Sequence, residues 1–180
     1  ERELLLRPIG NTVYFMPPYV IDDDVFSQAY IDDVIMEAIN YWNLMTNVEF
    51  VKRTTQTDYV NITTVVEGKC WSRLGRIGGS QTLNLDEDAC TLVDTVVHEL
   101  GHAVGLKHEH QRTDRDEFVR IHLDRVCPAA ERSNFVTYWQ GIPLGEYDLT
   151  SRMHYHSTAF GCEDHNGNLM TTVESRGAAL

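Results

Sequence analysis

The segment His98-Glu99-Leu100-Gly101-His102-Ala103-Val104-Gly105-Leu106-Lys107-His108 constrains this chain more than any other. On an α-helix, residues i and i+4 stand one turn apart, about 40° apart around the axis, so the imidazoles of His98 and His102 can address one ion. Val93, Val96, Leu100, Ala103 and Val104 fall on the opposite side of the same wheel. The helix therefore has a core face and a histidine face. Gly105 tolerates the left-handed backbone that ends a helix, and the turn it permits lets His108 return to the same ion. Three nitrogen ligands leave a fourth position for water, the layout of a catalytic rather than a structural zinc site. Glu99 can reach that water as general base and then pass the proton to a leaving nitrogen. Chance produces the full pattern in on the order of one chain in ten thousand.

The rest of the composition bounds what surrounds this segment. The chain has 180 residues, 42% of them hydrophobic, which is enough for one domain with a core. The apolar runs are a few residues long, too short to span a membrane. A net charge of −12 repels phosphate backbones and argues against a nucleic-acid partner. Cys70, Cys90, Cys127 and Cys162 are widely spaced with no C-x-x-C. They suit two disulfides in an oxidising compartment, or four buried thiols in the cytosol, and spacing does not choose among three pairings. If the chain is secreted, a leader upstream of Glu1 has been removed or lies outside this sequence. Asn61-Ile62-Thr63 is a glycosylation triplet in a strand-like run and carries little weight.

Periodicity organises the remainder. Thr12 to Met16 reads as a strand closed by Pro17-Pro18. Ile31, Val34, Ile35, Ala38, Ile39 and Trp42 recur at helical spacing, giving an amphipathic helix from about Ser27 to Met45, with Asp22, Asp23 and Asp24 ahead of its N-terminus. Val48 to Arg53, Tyr59 to Val66 and Ser80 to Leu85 read as strands, the last polar enough for a sheet edge. Thr91 to Val104 is a second helix, opened by a Thr91-x-x-Asp94 capping box. Ile121 to Val126 and a short helix near Ala129 to Trp139 follow, and the last forty residues are mostly loop. The order implies an α+β domain with a looser second half.

Beyond the histidines, the sequence resembles a known family. The extended H-E-x-x-H-x-x-G-x-x-H pattern is that of the metzincin metallopeptidases. His108 is followed by Glu109, Arg112 and Asp114-Arg115-Asp116, and further on comes Ser151-Arg152-Met153-His154-Tyr155. These are similar to the continuation and the Met-turn of the astacin family. Gly75-Arg76-x-Gly78-Gly79 and the strand after it extend the resemblance, which runs from about Thr12 to Phe160.

The resemblance implies a fold and a set of roles. The fold is a metzincin-like two-lobed catalytic domain covering 1–180. Its N-terminal lobe, about 1–104, has a twisted, mostly β sheet and two long helices. Its C-terminal lobe, about 105–180, is loop-rich and carries the Met-turn, with the active-site cleft between the lobes. His98, His102 and His108 would bind one catalytic Zn2+, and Glu99 would be the base as zinc-bound water attacks a peptide carbonyl. Tyr155 would be a movable fifth ligand that swings to stabilise the oxyanion, chemistry suited to a phenol. Met153 would form a hydrophobic floor under the metal, and Glu109 would meet the mature N-terminus after removal of an inhibitory propeptide, with Glu1 near the family's mature start. Ser80, Gln81, Thr82, Leu83 and Asn84 would be the edge strand that pairs with an extended protein or peptide substrate.

Cys70–Cys90 matches a family disulfide. Cys127 and Cys162, at positions not standard in the family, are left to pair with each other, and Asn47 stands where the family usually has a further Cys. The region after Phe160 departs from the family. His110 is read as a bystander that points away from the metal if His108 binds it, His154 and His156 as structural residues flanking the Met-turn, and His122 and His165 as exposed or hydrogen-bonded. The reading is a secreted zinc endopeptidase. The alternatives are a catalytically silent metzincin-like binding domain and a metal-dependent ribonuclease, the latter opposed by Glu99 and the acidic charge.

Overall fold

The computed structural model describes residues 6–9, 12–139 and 141–177. Strands β1 (Leu6–Ile9) and β2 (Thr12–Phe15) pair antiparallel, Leu6 opposite Phe15 and Ile9 opposite Thr12. Pro17-Pro18 does not end the sheet but opens a third strand, β3 (Pro18–Ile21). A proline has no N–H to give to a ladder, which the first position of a strand tolerates. The Pro17 carbonyl still accepts from the Val51 amide at 3.1 Å.

Residues 28–45 form one helix, α1, made of an α-turn at Gln28–Tyr30, a π stretch at Ile31–Ile35 and an α stretch at Met36–Met45. Ile31, Ile35, Ala38, Ile39 and Trp42 are its buried stripe. Ser27 caps the start: its Oγ accepts from the Tyr30 amide at 3.2 Å, while its N–H and hydroxyl donate to Glu87 at 2.9 and 2.5 Å. The Asp22–Asp24 run therefore does not serve the first turn, which holds no acidic residue. Asp22 instead accepts from the Thr63 hydroxyl at 2.9 Å.

The main sheet adds β4 (Val51–Lys52), β5 (Tyr59–Thr63), β6 (Trp71–Ser72) and β7 (Ser80–Asn84), in the order β4-β3-β5-β7-β6. The first four strands are parallel and β6 is antiparallel to β7. Parallel neighbours require a crossover, and α1 supplies the one from β3 to β4. The expected strand at Val48 to Arg53 shrinks to β4 and a single bridge between Phe15 and Val48. Asn61 sits in the middle of β5, half-buried between Val20 and Thr82.

The expectation that Ser80, Gln81, Thr82, Leu83 and Asn84 form the sheet edge is corrected. This strand pairs with β5 along its whole length, and Leu83 and Asn84 pair on the other side with Ser72 and Trp71. Leu83 and Asn84 are fully buried and Gln81 nearly so. The Asn84 amide is consumed locally: its Oδ1 accepts from Val65 and Val66, and its Nδ2 donates to Val66 and Lys69 carbonyls. Polarity in this strand serves a buried loop anchor, not a solvent-facing edge. The edge beside it is the two-residue β6.

Helix α2 (Val93–Ala103) begins two residues later than its sequence signal. Its N-cap is Leu92 and no side chain caps it, so the Thr91-x-x-Asp94 box does not form. Val96, Val97, Leu100 and Ala103 join the α1 stripe, Tyr19, Val60, Ile62 and Leu83 of the sheet, and Leu85 just after β7 in one core. Trp42 Nε1 donates to the Val97 carbonyl at 3.0 Å, fastening α1 to α2. The Cys70–Cys90 disulfide ties the start of β6 to the segment before α2.

This compact unit ends at Leu106 and a second begins at Lys107. The second unit holds a two-stranded ribbon, β8 (Val119–Ile121) and β9 (Val173–Ser175), and a series of 3-10 turns. The expected strand at Ile121 to Val126 is β8 followed by a 3-10 turn at Leu123–Arg125, and the expected short helix is a 3-10 helix at Ala129–Phe135. Val119, Val126, Phe135 and Val173 form its core, and Cys127 is bonded to Cys162. The fold is α+β. Among the described residues no helix is long and apolar enough to cross a membrane.

Candidate active site

Helix α2 places His98 and His102 on its half-buried face, opposite the core-facing Val96, Leu100 and Ala103. Their rings stand 4.6 Å apart, edge to face. The helix ends at Ala103 with Val104 as its C-cap, and next comes Gly105, whose φ of +102° any other residue would adopt only under strain. The Leu106 amide reaches back to the Gly101 carbonyl at 2.9 Å, and the amides of Gly105 and Gly75 both donate to the His102 carbonyl. These bonds satisfy the carbonyls that a helix end leaves open. They also bring Leu106 to His102, where its carbonyl accepts from Nδ1 at 2.8 Å. A carbonyl can only accept, so Nδ1 carries the proton and Nε2 keeps its lone pair for a metal. Burial pushes His102 down to about 4, assisted by neighbouring His98 and opposed by the Leu106 bond.

After this turn His108 completes the set: His98, His102 and His108 each offer a ligand atom, all within 4.8 Å of one another. Three imidazoles at this separation are a donor set suited to zinc.

Glu99 lies beside the first of them and is buried, with 6% of its surface exposed. The Ser72 backbone N–H donates to its carboxylate, which favours the charged form, but burial outweighs this and raises Glu99 to about 7. Its Oε2 has no partner among the described residues. A buried carboxylate oxygen with nothing bonded to it is available to take a proton.

In the second unit the Glu109 amide donates to the Met153 carbonyl at 2.9 Å. The Glu109 carboxylate accepts from Arg112 at 3.0 Å and from the Asp148 amide at 3.1 Å. Arg112 also forks onto Asp114 at 2.9 and 2.8 Å and donates to the carbonyls of Gly145 and Glu146. Glu1, expected to meet Glu109, lies outside the described residues. Met153 is buried in a tight turn in which Ser151 Oγ accepts from its amide. Tyr155 packs its ring 4.5 Å from His108 and 4.0 Å from His110.

The other histidines divide. His154 is held between the Tyr147 hydroxyl at 2.7 Å and the Tyr155 carbonyl at 2.6 Å. His122 meets Glu174 at 2.8 Å, and His156 and His165 are exposed. His110, read from sequence as a bystander, is fully buried. Ser72 and the edge strand β6 were also missed. The apolar Trp71 beside a half-cystine was the available signal, but two residues are too few to show alternation.

Comparison with known proteins follows the same line. The sequence model of the Astacin peptidase family matches residues 14–179. The chain is 38% identical over 144 residues to an astacin-like metalloendopeptidase of Gallus gallus, covering 79% of this chain and 34% of that protein. It is 37% identical over 173 residues to the astacin-like metalloprotease toxin 1 of Loxosceles intermedia, covering 94% and 61%. It thus spans between a third and two thirds of the length of these relatives. Among solved structures, high choriolytic enzyme 1, a hatching enzyme zinc-protease from Oryzias latipes, superposes with a TM-score of 0.81 at 31% identity, covering 92% of this chain and 78% of that one.

Proposed function

This chain belongs to the astacin family of peptidases, and on that premise we propose that it is a zinc-dependent endopeptidase that hydrolyses peptide bonds of proteins. The observation that carries the reading is the meeting of three imidazole donors within 4.8 Å with a buried glutamate whose Oε2 is open. His98, His102 and His108 would hold one Zn2+. A zinc ion there supplies Lewis acidity to water and to the scissile carbonyl.

The remaining work belongs to the chain's own groups. Glu99 accepts the proton of the attacking water at Oε2 and delivers it to the leaving amine nitrogen. Its other oxygen is steadied by the Ser72 amide, which limits rotation of the carboxylate while the proton moves. The Tyr155 hydroxyl donates to the developing oxyanion. Met153 forms an apolar floor, and Glu109, locked by Arg112, holds the Met153 segment through its backbone.

The substrate backbone is read by an exposed strand edge. Since β7 is paired on both sides, β6 is the strand proposed for that role. The two disulfides support an extracellular setting. Glu99 speaks against both the silent-domain and the ribonuclease readings. The test is cleavage of casein or a quenched peptide by the zinc-loaded protein, its loss with a chelator and its recovery on adding zinc. A protein that binds zinc and cleaves no peptide bond would overturn the reading.

A further inference from the structure

His110 is a buried ionisable side chain for which the hydrolytic reading has no use. It is 0% exposed. Its ring stacks on Tyr155 with centroids 4.0 Å apart and planes 28° from parallel. We propose that His110 is a positioning residue: its imidazole is the fixed face against which the Tyr155 ring rests, and so sets where the Tyr155 hydroxyl points during catalysis. This rests on the reading of Tyr155 as the oxyanion donor.

The argument begins with what holds His110 still. Its Nε2 lies 3.0 Å from the Asn134 carbonyl, which can only accept, so Nε2 donates and the ring cannot turn without losing that bond. Asn134 is itself held, its Nδ2 donating to Glu131 at 2.7 Å. Arg115 then ties the backbone on both sides, donating through Nη1 to the carbonyls of His110 and Phe135. A ring pinned at its edge and its backbone is a rigid plane.

The backbone of Tyr155 is fixed where its carbonyl accepts from His154 Nδ1 at 2.6 Å. Its ring is packed from several sides. Phe135 meets it edge-on at 5.6 Å and Phe160 obliquely at 5.7 Å, so His110 offers the one near-parallel face among these contacts. Burying an imidazole is costlier than burying a hydrocarbon unless its polar atoms are bonded. A leucine would fill the space more cheaply but would give no flat face and no anchored edge.

The test compares three variants in the zinc-loaded protein. His110→Phe keeps the face, and the Asn134 carbonyl stays satisfied because Gln111 Nε2 also donates to it at 2.9 Å. His110→Gln keeps a donor without a ring, and His110→Leu keeps apolar volume without a ring. Misplacement of a reacting group by about 1 Å costs on the order of a hundredfold. The ringless variants should therefore lose tenfold or more in kcat, with KM within about twofold, while His110→Phe, which keeps the face without the anchored edge, should lose clearly less. Affinity for a phosphinic peptide, a tetrahedral analogue, should fall in step with kcat. Zinc content and thermal midpoint should not track the loss.

The effect should vanish in a Tyr155→Phe background, since His110 acts only through that hydroxyl. Leu and Gln differ in polarity, so whichever of the two folds carries the test. Wild-type kcat in a folded ringless variant, or an undiminished loss in the Tyr155→Phe background, would overturn the proposal. Full activity of Tyr155→Phe alone would instead overturn the reading of Tyr155 on which it rests.

Discussion

The backbone N–H of Ser72 donates to the carboxylate of Glu99, so the candidate base is held by the strand that forms the sheet's edge. The two residues are far apart in sequence and come together because β6 folds back antiparallel onto β7 while α2 packs beneath. One amide thereby orients one carboxylate oxygen and leaves Oε2 open.

Replacing that open oxygen tests the base. Glu99→Gln keeps an acceptor for Ser72 but cannot take a proton at the amide. Peptidase activity should fall by about 10²- to 10⁴-fold, with zinc content unchanged at one per chain by elemental analysis. A fully active variant would remove Glu99 from the role of base.

The pH dependence has a definite sign. A general base works deprotonated, and imidazoles bind metal only when neutral. Burial raises Glu99 to about 7, but a cation on the neighbouring histidines acts in the opposite direction. Activity should therefore decline on acidification with an apparent midpoint below 7, near about pH 6. Rates at pH 4.5, 6 and 7.5, with bound zinc measured alongside, check this. An unchanged rate at pH 4.5 with zinc still bound would contradict it.

Asn84 should matter for stability. Four hydrogen bonds join its buried amide to Val65, Val66 and Lys69. Asn84→Ala strands these backbone groups and should cost about 3 kcal/mol, read as a lower urea midpoint. A cost under about 1 kcal/mol would mean that water replaces the amide.

Arg112 gathers Glu109, Asp114 and the carbonyls of Gly145 and Glu146 with its side chain only 10% exposed. Asp114 is held below the usual carboxylate range chiefly by its hydrogen bond from Arg112. Arg112→Ala leaves the Glu109 and Asp114 carboxylates without their shared guanidinium and should destabilise the protein by about 3 kcal/mol. Arg112→Lys should recover only part, since an ammonium cannot fork. Thermal unfolding of the two variants separates charge from geometry.

Position 161 probes the second unit. A methyl added to Gly161 would run into the Met170 carbonyl oxygen, a backbone atom that cannot step aside. Gly161→Ala should break the Val126–Gly161 bridge and cost about 2 kcal/mol or more, visible as earlier thermal unfolding.

Local chemistry made much of this legible without coordinates. The stripe Ile31, Ile35, Ala38, Ile39 and Trp42 and the two-faced helix around His98 and His102 depend on a 3.6-residue period that the chain itself carries. The left-handed turn at Gly105 follows from a side chain that is missing. Such features need no knowledge of distant partners.

What sequence could not decide was pairing. The polarity of Ser80 to Asn84 is compatible with an edge facing water or with a buried amide serving a loop, and only the neighbours β5 and β6 separate the two. The strand opened by Pro18 was hidden because proline closes most strands, and its parallel partners Val51 and Val60 lie far along the chain. His110 looked like a bystander because residues i and i+2 rarely share a role. Its place against Tyr155 depends on a 3-10 segment some two dozen residues later, whose Asn134 carbonyl accepts a hydrogen bond from its Nε2. The sequence by itself placed His98 and His102 one turn apart on a single helix face, because spacing on a helix is a local property. The tertiary structure alone decided which strand is the edge, which amide meets Glu99 and which ring lies against Tyr155, because those depend on partners that no periodicity encodes.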